Sequence, residues 1–238
     1  MTEKKVVKFP TPIAEVPGTE AGIMQLYSAI GIFDQVPDIE PHYRTIYFSS
    51  ARIPETDPAY AEANGFGITL GENDIDGGTG GGPSLMTAFN AGILEGKRRK
   101  GNHARSYGCS IDLYPNQKRN AFLEKEYVHR HFATRLHQFG RLGRRRSFVA
   151  APLAGIGTLL EVAWICQLLQ AEQLDGALFV LVGDMWPPLL GWMRTYMLNR
   201  KTINESDLDL VKPVPTYAEA VPLILEHKAR FMRKLAAG

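Results

Sequence analysis

Two glycine-rich stretches carry the residue types that hold phosphate. The first, GGTGGGPSLMTAFN over Gly77–Asn90, sets Gly80–Gly82 before Pro83 and an apolar helical pattern. Glycines let backbone N–H groups approach a phosphate, and a helix N-terminus adds favourable partial charge. Pro83 would stand near the first helical turn, where a missing N–H costs nothing. Taken alone, such a cluster is equally a flexible turn. The second stretch is LAGIGTLLE, Leu153–Glu161. Gly155 and Gly157 give backbone access, and Thr158 can bond a phosphate or ribose oxygen. Thr158 and Glu161 also have the spacing of a capping box, which spacing alone favours. Two such loops at successive strand ends point to an anion site. The pattern G-x-x-x-x-G-K-S/T is missing, which excludes an ordinary P-loop, and no G-x-G-x-x-G follows the first strand, which disfavours an NAD site.

The elements that must position these loops alternate along the chain. Strands are expected at Thr45–Ser49, Tyr107–Leu113, Ser147–Pro152 and Ala177–Val182, and helices at Ser84–Arg98, His131–Leu142, Thr158–Glu172, Pro187–Leu198 and Tyr217–Leu235. A further strand is wanted before the first glycine loop, in Glu72–Gly78, although that run holds one β-branched residue. Strands separated by helices predict an α/β, Rossmann-like, doubly wound, mainly parallel sheet with helices on both faces. Ligands of such sheets sit at the carboxyl ends of the strands, where the glycines fall. Residues 1–43, with a helix expected over Ile23–Phe33, read as an N-terminal extension packed on a nucleotide-binding domain of residues 44–238.

Composition narrows the class. Hydrophobic residues make up 45% and charged residues 22% of the 238, enough for a packed core. A net charge of +2 argues against a dedicated nucleic-acid binder. The basic clusters Lys97–Lys100 and Arg144–Arg146 read as a solvated helix end and loop. Cys109 and Cys166 read as buried free thiols of a reducing compartment, with a disulfide between them as the alternative. No apolar run has the length of a membrane span, and Met1–Pro10 lacks the apolar stretch of a secretory signal. A cytoplasmic protein that binds neither membrane nor nucleic acid is expected.

Several motifs, in order, resemble the LOG (Lonely Guy) family. GGGPSLMTAFN is similar to its GGGPGIMEAAN, and LAGIGTLLE to its PGGxGTxxE. FSSAR (Phe48–Arg52) resembles FGSAR of the longer subgroup, LYPNQKRN (Leu113–Asn120) resembles LPxEQxxN, and HFATRLHQF (His131–Phe139) resembles FFxxRKxMF. The likeness runs from about Ile46 to Ile224. It implies a Rossmann-like dimer or higher homo-oligomer that hydrolyses the N-glycosidic bond of a nucleoside 5′-monophosphate. Free base and ribose 5-phosphate are the products, with cytokinin nucleotides and AMP as typical substrates. No cofactor and no metal is expected. The family's catalytic arginine falls on Arg135 and its catalytic glutamate on Glu161. Its substrate-binding segments fall on Ser50, Gly81, Gly82, Gly155, Gly157 and Thr158, with Arg52, Pro83, Met86, Asn90 and Ile156 in the same motifs.

The chemistry fits these types. Cleaving a base from ribose passes through an oxocarbenium-like sugar, which a carboxylate stabilises. A guanidinium fork suits phosphate, although spacing alone favours reading Arg135 as a surface salt bridge on a helix flank. His129, His131 and His137 read as solvated or packing residues. The sequence departs from the family at Leu136 (lysine), Leu153 and Ala154 (Pro and the first Gly), Ser84 and Thr87 (Gly and Glu), and Ser49 (Gly). Each change adds bulk or removes a polar group. A nucleotide-binding or sensor protein without hydrolysis is therefore the alternative.

Overall fold

The computed structural model describes residues 5–8, 41–112, 120–174 and 176–237. The helix expected over Ile23–Phe33 and nearly all of the LYPNQKRN stretch lie outside the described residues. The elements run β1 (Lys5–Lys8), β2 (Arg44–Phe48), α1 (Pro58–Glu72), β3 (Asp76–Thr79), α2 (Leu85–Lys100), β4 (Ser106–Ile111) and β5 (Lys125–His129). They continue through α3 (Phe132–Gly143), β6 (Ser147–Ala150), α4 (Ile156–Gln170), β7 (Leu178–Val182), α5 (Trp186–Met193), α6 (Glu205–Leu208), β8 (Lys212–Val214) and α7 (Tyr217–Ala237), with a π-helical turn Arg194–Leu198 prolonging α5.

Among the described residues eight strands form one sheet in the order β1-β5-β4-β3-β2-β6-β7-β8, and every neighbouring pair is parallel. The chain winds outward from β2 through β3, β4 and β5, then returns beside β2 to start β6. Strand order thus reverses between β2 and β6, the place where open α/β sheets leave a crevice. The period of two along each strand splits the core into two layers. Tyr47, Val149, Val180 and Val182 pack beneath α1, α2 and α7 with Phe66, Phe89 and Ile224. Ile46, Phe48, Phe148, Phe179 and Leu181 pack beneath α3, α4 and α5 with Phe139, Ile165 and Trp186. This is the doubly wound Rossmann-like arrangement with helices on both faces.

Strands β1 and β8 and helix α6 have no counterpart in the sequence expectation, and three further elements depart from it. The segment Glu72–Gly78 is split, because Glu72 closes α1 and the strand is Asp76–Thr79. That strand is glycine-rich because its neighbours leave no room: a side chain at Gly77 would run into Ile93 and Phe89, and one at Gly78 into Ile46. Asp76 enters the core ion-paired to Arg44 at 3.4 Å and Arg105 at 3.0 Å. Helix α1, unread in the sequence, is capped by Asp57, whose side chain accepts from Ala59 N, with Pro58 in the first turn. The third is β5, hidden in a charged stretch.

The apolar residues of Val162–Leu169 and Phe132–Leu142 largely serve the core, where Val162, Ile165, Leu136, Phe139 and Leu142 are buried. The large apolar residues of α4 that are exposed are Ile156, Leu159 and Leu160. Cys109 and Cys166 are both free thiols, the first buried and the second partly so. Among the described residues no helix is long and apolar enough to cross a membrane.

Ser84 caps α2 at φ 66°, ψ −134°, a conformation that glycine alone adopts freely. Its hydroxyl donates to Ile53 O at 2.6 Å. Ser84→Ala keeps the strain and loses the bond, so it should lower stability by about 1–2 kcal/mol. Ser84→Gly loses the bond and sheds the strain, so it should stay nearer the parent. Urea unfolding of both proteins decides this; an alanine variant as stable as the glycine variant would refute the account.

Candidate nucleotide site

A cavity of about 860 Å3 opens at the carboxyl ends of the strands. Four segments build it: Ser49–Arg52 after β2, Gly80–Pro83 and Met86 after β3, Ser110–Asp112 at the end of β4, and Gly155–Thr158 entering α4. Glu126 and Val128 of β5, Phe132 and Arg135 of α3, and Leu160 and Glu161 of α4 complete the wall. Arg135, Glu161, Ser50, Arg52, Gly81, Gly82, Pro83, Met86, Gly155, Ile156, Gly157 and Thr158 thus meet in one cavity, brought there from segments more than a hundred residues apart.

Asn90 is not in the cavity lining. It is fully buried under the first glycine loop. Its amide donates to Ser106 Oγ at 2.8 Å and Tyr107 O at 3.3 Å, and its carbonyl accepts from Thr79 Oγ1 at 2.7 Å and Asn120 Nδ2 at 2.9 Å. Thr79 Oγ1 in turn accepts from Gly81 N at 3.1 Å. Asn90 therefore sets the loop from below, and the Gly81 N–H is directed inward to Thr79. Pro83 lies one residue ahead of the helix cap, outside the first turn.

The capping-box reading of Thr158 and Glu161 does not hold. Gly155 is the N-cap of α4, so Thr158 is its third residue and Glu161 its sixth, beyond reach of the terminus. Neither α2 nor α4 has a side-chain cap hydrogen bond. Both helices thus present first-turn N–H groups, which a helix cannot satisfy internally, at the rim of the cavity.

Glu161 instead pairs with Arg135, Oε1 to NH1 at 3.1 Å, and both side chains are largely buried. The surface-salt-bridge reading of Arg135 is likewise replaced. Its Nε donates to Cys109 O at 2.7 Å, and its guanidinium lies 4.9 Å from the Phe139 ring centre. Gly80 leaves the space this guanidinium fills, since a side chain there would overlap it. Burial pushes the Glu161 carboxyl up to about 7, with Arg135 pulling the other way. The same burial pushes the Cys109 thiol up to about 12.

Leu136, where the resembling motif has lysine, is buried. Phe132, expected on the same apolar stripe, is 42% exposed and turns to the cavity. His129 is held by burial and then by Arg135 at about 3, with Nδ1 3.2 Å from Thr134 Oγ1, so it is neutral at physiological pH. Among the described residues no group of His, Cys, Asp and Glu is placed to hold a metal ion.

The sequence reading missed Ser110, Asp112 and Glu126. Glu126 is 2% exposed and accepts from Ser110 Oγ at 2.5 Å. The available signal was the second of two acidic residues, Glu126, set between Lys125 and Tyr127 in EKEYVH.

No family model and no curated protein matches this sequence. Solved structures do resemble it. The molybdenum cofactor carrier protein of Chlamydomonas reinhardtii is similar at 17% identity, with 79% of this chain and 99% of that one covered and a TM-score of 0.54. The molybdenum cofactor binding protein of the phototrophic bacterium Rippkaea orientalis is similar at 15% identity, with 79% and 98% covered and a TM-score of 0.54. At these identities the likeness is one of fold, and it shows that the chain shares the Rossmann-like fold of these proteins.

Proposed function

We propose that this chain hydrolyses the N-glycosidic bond of a nucleoside 5′-monophosphate to a free base and ribose 5-phosphate, as the motif resemblance to the LOG family implies. The observation that carries the reading is the buried Arg135–Glu161 pair between two uncapped helix N-termini in one cavity. The helix termini offer N–H donors to the phosphate. Glu161 lies beside the sugar that such a phosphate would tether. Its ionised carboxylate stabilises the positive charge that grows as the bond to the base breaks. Arg135 supplies a fixed cation for the phosphate or the departing base, its direction set by Cys109 O.

The titration of Glu161 gives the proposal a signature. Only the ionised form stabilises positive charge, and the carboxyl is pushed up to about 7. Base release should therefore climb about tenfold per pH unit below that value and level off above it. Incubation with a panel of nucleoside 5′-monophosphates across pH 5–9, followed by chromatography for free base, measures both. Absence of free base from every nucleotide would overturn hydrolysis.

A second reading is binding without turnover. It is favoured by Leu136, buried where the resembling family has a lysine, and by fold neighbours described as a cofactor carrier and a cofactor binding protein. Saturable nucleotide binding with no base released selects it.

A further inference from the structure

We infer that the chain has a second binding surface, at the amino edge of the sheet, that takes the sugar-phosphate backbone of a nucleic-acid duplex. It lies at the opposite end of the strands from the cavity and does not depend on the nucleotide reading.

The net charge of +2 belongs to the whole chain, and the fold does not spread it evenly. Two segments far apart in sequence meet just before β6. The turn that leaves α3 carries Arg144, Arg145 and Arg146 in succession, and the last turns of α7 carry Arg230, Arg233 and Lys234. Arg146 ties the two together. Its guanidinium lies 5.1 Å from the Phe231 ring centre, and its NH1 donates to Arg144 O at 3.1 Å. Phe231 packs edge-on against Tyr43 with ring centres 5.5 Å apart, and the charges of Arg146 and Arg230 both act on the Tyr43 hydroxyl. Spacings of three and four set Arg230, Arg233 and Lys234 side by side on α7. Arg144, Arg145, Arg230, Arg233 and Lys234 are all exposed. None of these five side chains has a hydrogen bond or ion pair among the described residues. No acidic residue occurs between Arg130 and Arg146, or from Lys228 onward.

Cations near helix C-termini offset the helix dipole. The ends of α3 and α7 together amount to about one negative charge, and the effect fades beyond the last turn. Five exposed cations therefore leave a surplus, whose mutual repulsion a polyanion relieves. Arg145 is also held at φ 60°, a backbone conformation that glycine fills without strain. The chemistry of the surface selects among polyanions. A guanidinium fork meets phosphate oxygens two at a time. A bilayer would need an apolar face to insert, and the large apolar residues exposed on this end of α7 are Met232 and Leu235 alone. Single strands stack their bases on aromatic rings, and Phe231, the ring between the two segments, is taken by Arg146. Contact with the phosphates of a duplex, independent of base sequence, is what this surface offers.

Fluorescence anisotropy with a labelled DNA duplex and a labelled RNA duplex tests this between about 50 and 200 mM salt. The parent should bind with a Kd of about 1–100 μM, and log affinity should fall against log salt with a slope between about −3 and −5. Two double variants follow: Arg144→Ser with Arg145→Gly, and Arg230→Ala with Lys234→Ala. Each should make the slope less negative by about 2 and weaken binding by on the order of tenfold at low salt. Glycine suits the backbone at Arg145 and alanine suits a helix, and either variant decides the matter if the other does not fold. Absence of duplex binding by the parent at the lowest salt, binding that ignores salt, or variants that bind as the parent does would overturn the proposal. So would tighter binding to polyglutamate or to phosphatidylserine vesicles than to either duplex, which would assign the surface to an acidic protein or a membrane.

Discussion

Glu161→Gln should lower base release by on the order of a hundredfold or more while leaving nucleotide affinity largely unchanged. A carboxylate that meets charge developing on the sugar acts mostly in the transition state, so its loss appears in turnover more than in binding. The competing account is that Glu161 only neutralises Arg135 within the fold. Under that account Gln, which still accepts from the guanidinium, would alter melting and leave turnover near the parent's. Under either account the burial of Glu161 makes stability depend on pH. Glu161 has a folded-state value of about 7 against an ordinary 4.5. The folded protein then holds a proton that the unfolded chain has released, so this group's contribution is complete below about 4.5 and is lost as the pH rises to about 7. Glu161→Gln lacks that loss. Its melting temperature relative to the parent should therefore rise between pH 5 and pH 8. Equal turnover of the two proteins on a nucleotide that the parent cleaves would remove Glu161 from the chemistry.

Gly92→Val should destabilise the chain by about 3 kcal/mol or more, enough to leave little folded protein if the parent has ordinary stability. Helices α1 and α2 approach through glycines spaced four apart on each, Gly67 and Gly71 against Gly92 and Gly96. A Cβ at Gly67 would strike Phe89 O, at Gly71 Ile93 O, at Gly92 Asn64 O and at Gly96 Ile68 O. The obstacle in every case is backbone, which yields only if a whole helix moves. Helix α2 also carries the first glycine loop at its N-terminus, so a shift would open the cavity as well. Gly65 is the internal control. It lies on α1 with open space around it, and Gly65→Ala should gain about 0.5–1 kcal/mol. Urea unfolding of both variants checks this. A Gly92→Val protein within 1 kcal/mol of the parent, on the order of ordinary surface changes, would refute the close-packing account.

What could be read in the sequence was what local patterning encodes. Runs such as FVAAP and ALFVLV are buried on both faces of a parallel sheet, so they are apolar throughout and declare themselves as strands. The glycine loops did so because each leads into a helix. Elements whose residues answer to distant neighbours were hidden. Gly67 and Gly71 of α1 are there because α2 presses on them, and β3 is glycine-rich because Ile93, Phe89 and Ile46 crowd it; propensity left α1 unread and offered β3 a single β-branched residue.

The site divides in the same way. The motifs, through their family resemblance, singled out Arg135 and Glu161, but spacing along the chain compares a residue only with those a few positions away. On that basis Glu161 suited Thr158 and Arg135 suited solvent. Their contact exists because β6 returns beside β2, bringing α3 and α4 together over the sheet's carboxyl edge. Asn90 stands in a motif with Met86, yet Met86 lines the cavity and Asn90 is fixed beneath it by Thr79, Ser106, Tyr107 and Asn120. Glu126 gains its place only when β5 pairs with β4 and sets it near Ser110. Sequence determined the fold class and the loops, since these follow from periodicity and backbone chemistry. The tertiary structure decided which polar groups meet inside the cavity, because burial and pairing depend on neighbours that only the winding of the sheet supplies.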